Sequence, residues 1–346
     1  MSADRSDRGL YRPKNLLITG GCGFIGSHTL RLLVLKYPEY HFVNLDILDR
    51  CATLRNTADV AKCSNYTYVH GDICNLDLVS HLMCFHEVDT VINFAAQSHV
   101  DGSFGNPLSH TQTNVLGTHT LLEAARRHQI QRFVHVSTDE VYGDVMGDGV
   151  NEGAVFAPTN PYSCSKAAAE YIVRAYQQSY NLPVIITRGN NVYGPNQYPE
   201  KVVPKFILRL LNGDKCCLHG SGDSRRSYVH VQDVARAFDL ILHKGHLHEA
   251  YNIGSPFEIS MLELAQYLVV EMGLRTVDKV HELVESVQDR NINDKRYAID
   301  DAKLRSLGWT AERHWEEGIR ETIQWYRQMP DDHWPEWRIA LAPHPA

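Results

Sequence analysis

Two stretches carry side chains that could move protons. Residues 135–143 read HVSTDEVYG: the apolar run RFVHV delivers Ser137 and Thr138, then sets two carboxylates, Asp139 and Glu140, side by side. Residues 160–170 read NPYSCSKAAAE, where Tyr162 and Lys166 stand four apart, on one face of a helix that Pro161 opens. Adjacent carboxylates repel, and burial penalises charging both. One of the pair then stays protonated while the other ionises, which puts an acid and a base in one place. A lysine ammonium beside a phenol favours the phenolate. It is expected to lower the Tyr162 pKa from its ordinary value of about 10, making Tyr162 a base for a hydroxyl near neutral pH. Each signal alone is weak. Thr-Asp-Glu also suits a strand end with a capped turn, and Tyr-x-x-x-Lys recurs by chance on amphipathic helices.

A third stretch offers a cofactor seat. TGGCGFIGSHTLRLLV places Gly20, Gly23 and Gly26, with Phe24 and Ile25 between them, where the strand NLLIT turns into a helix. Glycine lets backbone N–H groups approach a pyrophosphate, and the helix N-terminus adds favourable partial charge. Asp46 closes the second strand about 20 residues further on, where a carboxylate accepts from ribose hydroxyls and repels a 2′-phosphate. This argues for NAD over NADP. Asp72 and Ile73 (YVHGDI) fall where adenine is met, and AAQSHVD (95–101), with Ala95 and Ala96, is expected to line the dinucleotide together with Ser137. Lys166 could also hold the nicotinamide ribose. The bland reading is a ligand-free tight turn with Asp46 as a cap or surface acid.

The elements that position these groups follow from hydrophobic patterning. Strands are expected at NLLIT (15–19), HFVNLD (41–46), YTYVHG (66–71), DTVINFA (89–95), RFVHVS (132–137) and PVIITR (183–188), with helical segments between them, GTHTLLEAARRHQ (117–129) among them. Such alternation predicts an α/β fold: a doubly wound, Rossmann-type parallel sheet with helices on both faces and ligands beyond the carboxyl ends of its strands. The divisions expected are a disordered leader over 1–13, an NAD-binding unit over 14–188, a second interleaved unit over 189–330, and a Trp-rich tail over 331–346. GNNVYGPNQYPEKVVPK (189–205) reads as a long functional loop. SYVHV and AYNIG, near 227–254, are expected to return to the main sheet.

Composition narrows the classes. The 346 residues carry a net charge of −7, which leaves no basic footprint for nucleic acid or anionic lipid. The N-terminus lacks the apolar run of a signal peptide, and no segment has the length of a membrane span. Eight cysteines without C-x-x-C fit reduced thiols and a cytoplasmic setting. Nineteen histidines do not cluster at ligand spacing, so no metal is expected; HKGHLHEA reads as a solvated turn.

Five motifs in order, TGGCGFIG, NFAAQSHVD, STDEVYG, PTNPYSCSKAAAE and NNVYGPNQYPEKVVPKF, resemble the extended short-chain dehydrogenase/reductase superfamily over roughly residues 14–330. Within it they look like the nucleotide-sugar 4,6-dehydratases that act on UDP-glucose or dTDP-glucose. The resemblance implies a smaller C-terminal α/β lobe for the sugar nucleotide and a homodimer built on two helices per subunit, here those near 117–128 and 161–180. It implies catalytic roles for Thr138, Asp139, Glu140, Tyr162 and Lys166. Tyr162 would take the O4 proton as C4 is oxidised by NAD, with Thr138 bonding the same oxygen. Glu140 would remove the C5 proton while Asp139 protonates the leaving C6 hydroxyl, and C6 then receives the hydride. Ser98, Asn191, Lys201, Arg226, Asn252, Arg290 and Tyr297, with Asp294, match positions that contact the sugar nucleotide. RGNNVYGPNQYPEK is closer to eukaryotic UDP-glucose enzymes, so UDP-glucose is the first reading and dTDP-glucose the second. No reductase/epimerase module is expected, so a rhamnose pathway is expected to need separate enzymes. A UDP-sugar 4-epimerase or decarboxylase, or a non-catalytic NAD-binding scaffold, are the rivals. Asp139 speaks against the epimerase, and the intact set of five against the scaffold.

Overall fold

The computed structural model describes residues 10–290 and 292–343. Its strands are β1 (Asn15–Thr19), β2 (His41–Asp46), β3 (Tyr66–His70), β4 (Thr90–Asn93), β5 (Arg132–Thr138), β6 (Val184–Gly189), β7 (Asn191–Tyr193), β8 (Cys216–His219), β9 (Arg225–His230), β10 (Ala250–Ile253), β11 (Glu258–Ser260), β12 (Val284–Val287) and β13 (Arg296–Tyr297). Helices used below are α1 (Phe24–Lys36), α2 (Leu76–Phe85), α3 (Val100–Gly105), α4 (Pro107–His110), α5 (Thr118–Arg127), α6 (Pro161–Tyr180), α7 (Val202–Leu211) and α8 (Val231–Lys244).

Seven strands form one parallel sheet in the order β10-β6-β5-β4-β1-β2-β3. Leu16 and Ile18 of β1 point into a core shared with α1 and α8, while Leu17 points into the core against α2, α5 and α6. Both faces are therefore covered, which is why these strands read as continuous apolar runs and not as alternating ones. Strand order reverses at β1, between β2 and β4. That is the crevice where open α/β sheets take ligands. In register, Thr19 lies beside Leu45 and Asn93, Asn93 beside His135, and Thr138 beside Gly189. The carboxyl ends thus line up along one edge. They deliver Gly20, Asp46, Phe94–Ala96, Asp139, Glu140 and Asn190 to the same side.

A second group, β11-β9-β13 with β7 on β9 and the pair β12-β8, builds the smaller lobe. SYVHV therefore does not return to the main sheet: it is β9, paired with β7, β11 and β13. A strand pattern specifies a strand but not its partner. The part that does return is α8, packed on α1, and AYNI as β10, beside β6. The segment expected as a tail is packed: Trp334 and Trp337 are buried in the smaller lobe's core. Of the expected leader, residues 1–9 lie outside the described residues, but Tyr11 is tied down. Its hydroxyl meets Thr90 Oγ1 at 2.7 Å, and the Arg132 guanidinium covers its ring. The helix expected from 117 is preceded by a π-helical turn, Thr111–Gly117, that brings Thr113 to the cleft. Among the described residues no helix is long and apolar enough to cross a membrane.

One fully buried ion pair ties these layers together. Arg188 of β6 donates to both Glu170 oxygens of α6, and its Nη1 donates to the Tyr142 hydroxyl at 2.5 Å. Removing one member of such a pair strands a charge in the core. Arg188→Met is expected to lower unfolding free energy by about 3–5 kcal/mol. Arg188→Met with Glu170→Leu should cost distinctly less, as read from urea titrations of the two variants.

Candidate active site

A cleft of about 730 Å³ runs along the carboxyl edge of the main sheet. At one end is the turn after β1. Gly20 adopts φ +71°, and a Cβ there would lie 2.7 Å from the Ala95 nitrogen. A Cβ on Gly26 would lie 2.3 Å from the Gly20 carbonyl oxygen. These positions accept only glycine, because the turn, the helix and the loop after β4 share one space. Helix α1 starts at Gly23 with no side-chain cap. Its free N–H groups open towards the cleft at Phe24 and Ile25, a seat suited to an anion. Asp46 accepts from the backbone nitrogens of Cys22 (2.9 Å) and Leu48 (2.8 Å), which leaves lone pairs for hydroxyl donors. Burial raises its pKa and those two N–H groups oppose the rise. Asp72, Ile73, Ala95, Ala96, Ser98 and Ser137 complete this wall. The shape and donor set fit a dinucleotide.

At the other end of the cleft stand Thr138, Asp139, Glu140, Tyr162 and Lys166. Strand β5 ends in a short 3₁₀ turn, Asp139–Tyr142, whose first N–H groups need a cap. The Thr138 hydroxyl supplies one by accepting from the Glu140 nitrogen at 3.3 Å. Both carboxylates are thereby held side by side just beyond a strand end. The Asp139 carboxyl receives the Thr138 hydroxyl (3.2 Å) and the Asn190 amide (2.7 Å). Burial, then the neighbouring Glu140, lifts its pKa to about 7. Burial also raises Glu140, but Lys201, Arg226 and Arg290 pull against it, and the Asn160 amide donates to its Oε2 at 3.3 Å. The acids therefore differ. Asp139 carries its proton into the neutral range, and Glu140 faces the cations.

Tyr162 departs from the sequence reading. Its pKa is pushed up, not down, by burial and then by Glu140, with the Thr138 hydroxyl beside it opposing. Lys166 instead donates to the Val136 carbonyl at 2.6 Å, and burial lowers its pKa to about 8. The helix spacing placed both side chains in the cleft, but a desolvated ammonium held by a carbonyl does little to ionise the phenol while two carboxyls oppose it.

A smaller cavity of about 140 Å³ joins the cleft at Glu140, Asn191, Glu200 and Lys201 and runs into the second lobe. Arg226, Arg290, Asp294 and Tyr297 line it. Arg226 spends its fork on the carbonyls of Arg225, Asp294 and Lys295 and covers the Tyr297 ring. Lys201 donates to the Ser98 carbonyl at 2.6 Å. Two expected contacts change role. Asn252 lines neither cavity. It is fully buried, with its amide engaged by Tyr142, Val150 and Asp300, so it braces β10. Asp294 accepts from the hydroxyls of Tyr297 and Thr159, both at 2.6 Å, and so orients Tyr297 instead of meeting a diphosphate. The loop AAQSHVD also divides: Ala95–Ser98 line the cleft, while Val100 and Asp101 line the second cavity.

The sequence reading missed Asn160 and Asn190. Asn160 was legible as a helix cap, since Asn before Pro with Ser three residues on is a start signal; it forms a capping box with Ser163. Nothing local marks Asn190, whose partner Asp139 lies in the turn after β5.

The profile of the GDP-mannose 4,6 dehydratase family matches residues 17–322. The chain is 48% identical, over 339 residues, to the Arabidopsis thaliana trifunctional UDP-glucose 4,6-dehydratase/UDP-4-keto-6-deoxy-D-glucose 3,5-epimerase/UDP-4-keto-L-rhamnose-reductase, covering 97% of this chain and 50% of that protein. It thus spans about half the length of the plant relatives it matches. The dTDP-D-glucose 4,6-dehydratase of Mus musculus is 46% identical over 333 residues, covering 96% of this chain and 94% of that one. The crystal structure of the dTDP-glucose 4,6-dehydratase DesIV of Streptomyces venezuelae, with NAD bound, superposes with a TM-score of 0.88 at 38% identity, over 93% of this chain and 99% of that one.

The Asp139 environment makes a pH prediction. Its folded pKa, about 7, lies above the ordinary 3.8 of the unfolded chain. Its contribution is intact below about pH 4, and stability then falls as pH rises towards 7, because the unfolded chain releases the proton first. The slope attributable to this group is about 1.4 kcal/mol per pH unit. Asp139→Asn keeps an acceptor for Asn190 and removes the titration. It should therefore gain stability over the unsubstituted protein between pH 4 and 7 and hold the gain above, as read by denaturant midpoints at fixed pH values.

Proposed function

Because the chain belongs to the GDP-mannose 4,6 dehydratase family, we propose that it catalyses the NAD-dependent 4,6-dehydration of a nucleoside diphosphate glucose, giving the 4-keto-6-deoxy sugar nucleotide and water. UDP-glucose is the first reading. dTDP-glucose is the second, favoured by the mouse relative that the chain matches along nearly its whole length. The observation that carries the proposal is the unequal acid pair, Asp139 lifted to about 7 and Glu140 facing cations, in one cleft with Tyr162.

Gly20, Gly23, Phe24, Ile25, Gly26, Asp46, Asp72, Ile73, Ala95, Ala96, Ser137 and Lys166 would hold NAD. Bound there, NAD supplies the two-electron acceptor and donor and a positive ring that opposes the upward push on Tyr162. Tyr162 takes the sugar O4 proton, with Thr138 bonding that oxygen. The C4 ketone acidifies C5–H, and Glu140 removes that proton. Asp139 protonates the C6 hydroxyl, which leaves as water, and Glu140 returns a proton to C5. Asp139 suits the donor role because its pKa, lifted to about 7, leaves a share of it protonated at neutral pH. Ser98, Asn191, Lys201, Arg226, Arg290 and Tyr297 would border the sugar diphosphate.

The same reading includes a homodimer. Tyr171 of α6, Leu116 of the π-helical turn and Leu108 of α4 leave large apolar side chains in solvent, which supports this part of the reading. Light scattering at micromolar concentration should give twice the chain mass, and Tyr171→Glu with Leu116→Glu should shift it to monomer.

The reaction itself is tested with UDP-glucose and dTDP-glucose deuterated at C4 and incubated in parallel. The label should be recovered at C6 of a product lighter by one water. Asp139→Asn and Glu140→Gln should each slow elimination by roughly 10²–10⁴-fold while still reducing bound NAD. Unimpaired turnover in both variants, or label lost from the sugar, rejects the assignment. A new product of unchanged mass would instead identify an epimerase, and loss of carbon dioxide from UDP-glucuronate in a further incubation would identify a decarboxylase.

A further inference from the structure

A charged contact joins the two lobes across the second cavity. Asp101 stands in the first turn of α3, at the end of the loop that leaves β4. Arg290 belongs to the segment between β12 and β13 of the other lobe. Asp101 Oδ2 accepts from Arg290 Nη2 at 2.9 Å, and Oδ1 lies 2.6 Å from Nε. Both side chains line the cavity, and that of Asp101 is only 12% exposed. Burial works to raise the Asp101 carboxyl, yet Arg290 holds it below the ordinary range.

The cations around this cavity are not equivalent. Arg226 is committed to three backbone carbonyls. Lys201 donates to the Ser98 carbonyl, and Lys205 to that of Ala342 at 2.9 Å. These contribute charge more than free directed donors. Arg290 is different, because a guanidinium is a planar fork with two usable edges. Asp101 sits against the Nε/Nη2 edge, through one hydrogen bond from Nη2 and an ion-pair contact at Nε. The Nη1/Nη2 edge is turned away from Asp101 and matches two oxygens of a phosphate in parallel hydrogen bonds.

We propose that Asp101 is a positioning residue for the sugar-nucleotide diphosphate: it clamps Arg290 by one edge so that the other is presented to the diphosphate. This rests on the function proposed above. The sign of the effect separates the proposal from its opposite. A carboxylate near a diphosphate is repulsive, so an Asp101 that only neutralised Arg290 would weaken binding, and its removal would tighten it. An Asp101 that clamps Arg290 spares the ligand the cost of ordering a long side chain, and its removal loosens binding.

The test uses the full chain with Asp101→Ala, Asp101→Asn and Arg290→Ala. In Asp101→Ala, KM for the sugar nucleotide turned over should rise about tenfold, with kcat changed by less than about twofold and the NAD content of the purified protein unchanged. Asp101→Asn, which keeps an acceptor of the same shape, should fall between. In the Arg290→Ala background, Asp101→Ala should add nothing, since the clamp has lost its object. A KM that falls or stays level in Asp101→Ala, or a full additive effect on Arg290→Ala, overturns the proposal. Calorimetric affinities for UDP and dTDP should show the same pattern in the same four proteins. They keep this result separate from the function reading, which fails if no sugar nucleotide is turned over even though the diphosphates bind as expected.

Discussion

The buried contact between Glu170 and Arg188 fixes the geometry on which the rest depends. Glu170 belongs to α6, the helix that carries Tyr162 and Lys166, and Arg188 to β6. Through its Nη1 the arginine also holds Tyr142, two residues beyond Glu140, and Tyr142 passes the network to Asn252 on β10. One guanidinium therefore fixes the tyrosine helix, the acid-bearing turn and the last strand of the sheet relative to one another. Buried ion pairs are poor sources of net stability, because desolvation cancels much of the attraction. Their value is registry. The arrangement satisfies Arg188 through Glu170, Tyr142 and the Glu152 carbonyl together, and so ties the helix of Tyr162 to the turn of the two acids.

The same low dielectric acts oppositely a few residues away. Glu170 is met by a full positive charge. Asp139 is met only by an amide and a hydroxyl, so its carboxyl rises to about 7. The fold thus places two carboxyls in comparable burial and gives them different partners. The turn itself is ordinary, a strand end with a threonine cap, and the bland reading of Thr-Asp-Glu is locally correct. What makes it chemical is the strip of sheet edge it joins.

The strands of the main sheet and the glycine turn were legible because their determinants are local: apolar runs, a turn that tolerates only glycine, a helix start marked by Asn-Pro. The acid pair and the Tyr–Lys spacing were legible for the same reason. What escaped depends on partners far along the chain. The SYVHV pattern says strand, but its partners β7, β11 and β13 are set by how the second lobe closes. Asn252 was read as a ligand contact, while its three partners come from other elements. The Tyr162 shift was misjudged because helical spacing places Lys166 nearby but does not reveal that the Val136 carbonyl takes its proton donor.

The meeting of the two cavities at Glu140 adds a coupling between binding and chemistry. Lys201, Arg226 and Arg290 oppose the burial that raises this carboxyl. In the proposed reaction a diphosphate lodged among those cations takes up part of their field, and what they withdraw from Glu140 diminishes. Its pKa then rises, and a carboxylate with a higher pKa is a better acceptor for a proton on carbon. The base, already raised by burial in the free protein, would be strengthened further by the part of the substrate that does not react, which is how remote binding energy reaches a reacting centre. Asp139 is more deeply buried, is held by the Asn190 amide and lies outside the second cavity, so its proton is less affected by the same event. The order of the two acids along the turn, with Glu140 towards the anion and Asp139 towards the sheet, is thus part of how their roles are told apart.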